Sequence, residues 1–135
     1  MRIARQHIET MIAHAQAGLP NEACGLLAGS GDTVTAVHCL ENAHHSPVSY
    51  ELTAQGYLLL VELADSDSLL AAFHSHTQGE AYPSPTDRRQ AFWPIRYVLI
   101  SLRDRQRPEV RVFCIAKHPT SASELGDVTE EKLET

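Results

Sequence analysis

The segment Phe73–Arg88 reads "FHSHTQGEAYPSPTDR" and gathers side chains that can do chemistry. His74 and His76 are one residue apart, seven residues separate His76 from Ser84, and Asp87 follows three positions later. In an extended chain, side chains i and i+2 point to the same face, so the two imidazoles project together. In a helix they would diverge by about 200°. Ser84 and Asp87 share a face if a helix begins there. If the intervening loop turns the chain back, two neutral imidazoles and one carboxylate can meet one cation. Three protein ligands with an open fourth position is the pattern of a catalytic zinc site. The same donor set also serves non-haem Fe(II). Each residue has a plainer use as well. The histidines can be core or surface groups, Ser84 can cap a helix whose first residue is Pro85, and Asp87 can complete a capping box and complement the helix dipole.

The elements that must position these groups follow from periodicity and breakers. Ile8, Met11, Ile12 and Ala15 recur at helical spacing, and Gly18 and Pro20 end that helix. "CGLLAGSGDTVTAVHCLEN" predicts two strands around a Gly-Ser-Gly-Asp turn, followed by the loop "NAHHSPVSYE". Thr53 is a candidate cap for a second helix with Tyr57, Leu60, Val61 and Ala64 on one face, although Gly56 costs it about 1 kcal/mol relative to Ala. "SLLAAFHSH" predicts a buried strand that ends in the two histidines. A short helix starting at Ser84 and bounded by Pro94 comes next. "RYVLISL" and "EVRVFCIA" predict two further strands joined by the charged turn "RDRQRP". Without a regular βαβ rhythm, this alternation predicts an α/β fold, a mixed sheet flanked by helices.

The 135 residues suit a single domain with one core, and 43% hydrophobic with 21% charged residues is a globular composition. A net charge of −6 without a basic block argues against nucleic acid as a partner, because such binding rests on phosphate neutralisation. There is no stretch of 18 apolar residues to span a membrane. Cys24, Cys39 and Cys114 are odd in number and far apart, which points to reduced thiols in a cytoplasm rather than a disulfide framework. Residues 121–135 carry five acids and one Lys and are expected to form an acidic, flexible tail after a domain spanning 1–120.

"HSHTQGEAYPSPTD" fits H-x-H-x7-S-x2-D and resembles the signature of the JAMM or MPN+ metalloproteases, in particular their short stand-alone bacterial members. "PNEACGLLAG", the "EN" that precedes a Pro-containing loop and an aromatic, and "YVLISL" resemble other parts of that family, so the likeness runs roughly from Ile3 to Ile115. Thr77 stands where many relatives carry Pro. The resemblance implies a curved mixed β-sheet with flanking helices, as in the MPN/cytidine-deaminase-like fold. It implies that His74, His76 and Asp87 hold Zn²⁺, that Glu22 relays the proton of a bound water, and that Ser84 stabilises the oxyanion. Spacing alone does not place Glu22, which lies 52 residues before His74. The implied activity is hydrolysis of a peptide or isopeptide bond at the C-terminal Gly-Gly tail of a small ubiquitin-like or sulfur-carrier protein. A catalytically silent MPN scaffold and the DNA-repair-associated branch of the superfamily are the alternatives. Arg88 and Arg89 are expected on a solvated face, His44 and His45 in a surface loop, and Cys24 among core thiols.

Overall fold

The computed structural model describes residues 1–117 and 125–135. Helix α1 (Arg5–Gly18) buries Met11 and Ala15, with Ile8 and Ile12 packed beside them. Strands β1 (Cys24–Ser30) and β2 (Thr33–Leu40) form an antiparallel hairpin. Its turn has Gly31 at φ +60°, a conformation that costs glycine least. Helix α2 (Ala54–Asp65) is capped by Thr53, whose hydroxyl accepts the Gly56 N–H at 3.1 Å. Strand β3 (Leu69–His76), the short helix α3 (Pro85–Arg89) and strands β4 (Arg96–Ser101), β5 (Glu109–Ala116) and β6 (Asp127–Glu131) complete the order. The six strands run β2-β1-β3-β4-β5-β6, with only β3 and β4 parallel. This is the mixed sheet with helices that the sequence predicts.

β3 lies inside the sheet, so its backbone is paired on both sides. Phe73, Val98, Ile100 and Val112 pack with α1 on one face. Leu26, Leu52 and Leu60 pack under α2 on the other.

Two expectations change. The buried residues of α2 are Gly56 and Leu60, whereas Tyr57 and Val61 are each 43% exposed. The packing stripe is thus rotated about one position from the expected one. Gly56 sits inside it because a Cβ there would lie 3.2 Å from Leu52 Cβ. The second change concerns the expected flexible tail. Within it, residues 127–131 form β6, an edge strand paired with β5, while 121–124 lie outside the described residues. Two of the acids of β6 are paired with fixed cations. Glu130 meets Arg111, and Glu131 meets Arg96 and the N-terminal ammonium, while Val128 packs against the cluster of Leu99 and Phe113. Arg2 bridges both Thr33 at the start of β2 and Glu134 beyond β6, so the chain's first residues join the two edges of the curved sheet.

Candidate active site

The C-terminal end of β3 carries the two histidines. His74 sits opposite Cys24 of β1 and Leu99 of β4, and His76 sits opposite Ser101. Strand alternation turns both imidazoles to one side while Phe73 enters the core under α1. Ser75 fastens the neighbouring strand: its N–H donates to Ala23 O at 2.9 Å and its hydroxyl accepts the Ala23 N–H at 2.8 Å. Helix α3 then brings Asp87. Ser84 is the N-cap and Asp87 the third residue of a full capping box, with Asp87 N donating to Ser84 Oγ (3.1 Å) and Ser84 N to Asp87 Oδ2 (2.9 Å). The same Oδ2 lies 3.2 Å from His74 Nε2 and 3.1 Å from His76 Nε2, and the two nitrogens are 3.2 Å apart. The helix-cap role and the cluster role therefore coexist in one residue.

Three lone-pair atoms in a near-equilateral triangle repel unless positive charge sits among them. The triangle's edge is close to the roughly 3.3 Å expected between ligands placed tetrahedrally about 2 Å from a zinc ion. The donor set thus fits a small cation. His76 is oriented for this by its far side, where Nδ1 lies 2.8 Å from Glu80 O; an N–H donated there leaves Nε2 free as a ligand. Burial would by itself raise the Asp87 carboxyl, but the charge of His74 together with hydrogen bonds from both histidines and the Ser84 N–H holds it well below the usual carboxylate range. Burial likewise lowers His76, yet Asp87, the Glu80 carbonyl and the charge of Glu22 more than offset it, so the imidazole is raised. Tyr50 stacks on His74 with ring centroids 4.4 Å apart and walls the cluster from that side.

Glu22 reaches the same place from before β1. The pairing of Cys24 with His74 carries it there across 52 residues of sequence. It is only 7% exposed and lines a groove of about 410 Å³ with His76, Ser84, Pro47, Val48, Thr77, Gln78 and Gly79. Burial raises its carboxyl to about 7; His76 pulls it down and Asp87 pushes it further up. The structure thus brings Glu22, His74, His76, Ser84 and Asp87 together. Thr77 donates from its hydroxyl to Pro47 O at 3.2 Å, closing one end of the groove.

Sequence reasoning assigned no role to Asn42, which organises the loop over this groove. Its amide donates to Glu22 O and Ser49 O, both at 3.0 Å, and its oxygen accepts the N–H groups of His44 (3.0 Å) and Glu51 (3.2 Å). An Asn directly before a Pro-containing loop was the available signal, because Asn side chains bond their local backbone. Beyond Tyr50 lies an aromatic cavity of about 210 Å³, lined by Tyr57, Phe92, Trp93 and Tyr97 among others. Cys24 is buried, and burial together with the Glu22 charge pushes its thiol to about 12, which removes it as a nucleophile. His44 and His45 are exposed loop residues beside Glu51 and Glu41. Arg89 is exposed as expected, but Arg88 is half-buried and bonded to Gly126 O, a correction to the solvated face assigned to it.

Residues 4–115 match the family described as prokaryotic homologs of the JAB domain. The chain is 40% identical over 131 residues to the CysO-cysteine peptidase of Mycobacterium tuberculosis, covering 93% of this chain and 84% of that protein. It is 35% identical over 113 residues to the Desampylase of Haloferax volcanii, covering 77% and 81%. The solved structure of protein DSY2949 from Desulfitobacterium hafniense has a TM-score of 0.78 at 35% identity over 98% of this chain and 90% of that one. A structure described as "JAMM: A Metalloprotease-like Zinc Site in the Proteasome and Signalosome" has a TM-score of 0.57 at 18% identity over 99% and 95%, which shows a shared fold.

Proposed function

The chain belongs to the prokaryotic homologs of the JAB domain and is a hydrolase. From that premise we propose that it is a zinc-dependent peptidase. Its substrate is the C-terminal Gly-Gly tail of a small ubiquitin-like or sulfur-carrier protein, cut at the peptide or isopeptide bond that follows. The carrying observation is the His74–His76–Asp87 triangle of 3.1–3.2 Å, with Glu22 and Ser84 lining the groove at its edge. The names of the relatives support the substrate class, since one is called a peptidase of CysO-cysteine and another a desampylase. With all five positions filled, a silent scaffold is disfavoured.

His74, His76 and Asp87 would hold Zn²⁺, with Glu80 O orienting His76 from behind. Bound zinc would supply Lewis acidity that polarises a carbonyl and lowers the pKa of water to about 7. Glu22 takes the proton from the attacking water and passes it to the departing amine nitrogen. Burial raises this carboxyl above its ordinary value, the direction that suits a group which must both take and return a proton. Ser84 Oγ accepts the Asp87 N–H and keeps its own proton for donation to the carbonyl oxygen as that oxygen gains charge. The groove between Pro47–Val48 and Thr77–Gly79 accommodates an extended tail, and glycines let the backbone approach the cluster without side-chain collision.

The test is mass spectrometry of a small ubiquitin-like protein whose Gly-Gly end carries one further amino acid. The expected product has lost that residue and ends in Gly-Gly, and chelation stops its formation. An intact substrate, or cleavage at some other bond, contradicts the reading.

A further inference from the structure

Helix α3 has five residues and buries none of them, so packing does not hold it in place. Yet Asp87 must stay about 3 Å from two imidazoles fixed on β3. Arg88, the next residue, points the other way. Its Nε and Nη2 donate to the carbonyl oxygen of Gly126 at 2.9 and 2.7 Å. Gly126 directly precedes β6, and it sits so close to β5 that a Cβ there would lie 2.6 Å from Ile115 Cγ2 and 3.1 Å from Ala116 O. β6 is in turn anchored through Glu131 to Arg96 and to the N-terminal ammonium. A lesser tie comes from the end of β5, where Lys117 donates to Arg89 O and lies over the Phe92 ring.

We propose that Arg88 is a positioning residue for the metal site: it ties α3 to the C-terminal edge strand and so sets where Asp87 meets His74 and His76. Two N–H groups converging on one carbonyl fix orientation as well as distance, which a single flexible ammonium cannot do. The segment 125–135, separated from the histidine strand by β4 and β5, thereby becomes part of what holds the ligand set. The proposal rests on the zinc reading of the cluster, and its test is read without substrate.

Zinc affinity is measured by competition with a chromogenic chelator for the full chain and for Arg88→Ala, Arg88→Lys, Gly126→Ala and Arg89→Ala. Loss of a partner that orients a ligand typically costs 10–100-fold in metal affinity. Arg88→Ala is expected to weaken zinc binding by at least about tenfold, with Arg88→Lys in between and the exposed Arg89→Ala unchanged. Gly126→Ala displaces the accepting carbonyl from the other side and moves affinity in the same direction. The visible spectrum of the cobalt-substituted protein should change in Arg88→Ala and return toward wild type in Arg88→Lys, which a general loss of stability does not produce. Hydrogen exchange of the amides of residues 84–89 in metal-free protein provides a readout independent of any metal, and faster exchange in Arg88→Ala supports the tether. Zinc affinity within twofold of wild type, or unchanged exchange in that segment, overturns it. A protein that binds zinc through this tether and cleaves no Gly-Gly tail would overturn the proposed function alone.

Discussion

Glu22 carries the proton transfer in this account, and its environment makes two separable predictions. Glu22→Gln is nearly isosteric and cannot accept a proton, so the variant should keep its zinc and lose turnover by about 10²–10⁴-fold, measured on a Gly-Gly tail substrate. The second prediction concerns stability without metal. The folded carboxyl is raised from 4.5 to about 7, so the folded state holds the proton more tightly than the unfolded state does. Its contribution is therefore unfavourable: absent below about pH 4.5, growing between 4.5 and 7, and fully present above 7. In chelator-stripped protein, Glu22→Gln should raise stability at pH 8 and leave it unchanged at pH 4, as read by denaturant unfolding. Ser84 is the N-cap of α3, and in the proposed mechanism its hydroxyl is also the oxyanion donor. Ser84→Ala should cost about 1 kcal/mol from the lost cap and also on the order of 10²-fold in turnover. Ser84→Asp keeps a good cap but cannot donate when ionised, and it should be folded, zinc-loaded and nearly inactive, with metal content measured in parallel. The His-x-His, Ser and Asp of this site were legible in the sequence because their geometry is local: strand alternation and a helix cap decide it. Glu22 was legible only through the family likeness, because a pairing across the sheet brings it to the histidines and no spacing records that.

Among the elements, the loop between β2 and α2 depends on one side chain. Asn42 makes four hydrogen bonds at a buried position, two as donor and two as acceptor. Asn42→Asp keeps the acceptor half and sets a carboxylate oxygen against the carbonyls of Glu22 and Ser49. A stability loss on the order of 2–4 kcal/mol is expected, with faster hydrogen exchange confined mainly to residues 43–51. An unchanged melting temperature would mean that the loop holds itself. The sequence predicted the helices and the first five strands well because each carries its own period or cap. α2 shows the limit: its spacing identified a helix but not which residues face the sheet, since Gly56 is buried for fit and Tyr57 stays outside. β6 shows another: a strand with three acids in five residues reads as a solvated tail until Arg96, Arg111 and the N-terminus are seen to pair with Glu130 and Glu131.

At the scale of the whole molecule, the two ends of the chain close the sheet. The Met1 ammonium donates to Lys132 O at 3.0 Å, Ile3 N donates to Glu134 O at 2.8 Å, and Arg2 bridges toward both edges. A chain lacking residues 125–135 should therefore melt at a lower temperature and lose zinc affinity together, rather than behave like wild type as removal of a loose tail would. No described helix is long and apolar enough to cross a membrane, and Cys24, Cys39 and Cys114 are free thiols. What the fold delivers among the described residues is one His-His-Asp group that could hold a cation, and in the proposed reading it is assembled from a central strand, a tethered short helix and a Glu brought in by β1. The most direct test of that claim is a titration of zinc into chelator-stripped protein with the cleavage rate of a Gly-Gly tail substrate followed at each addition. The account predicts a rate that is near zero at the start, rises linearly and breaks at one zinc per chain, with no such rise in His76→Ala. Full activity in the stripped protein, or a rise that His76→Ala retains, would contradict it.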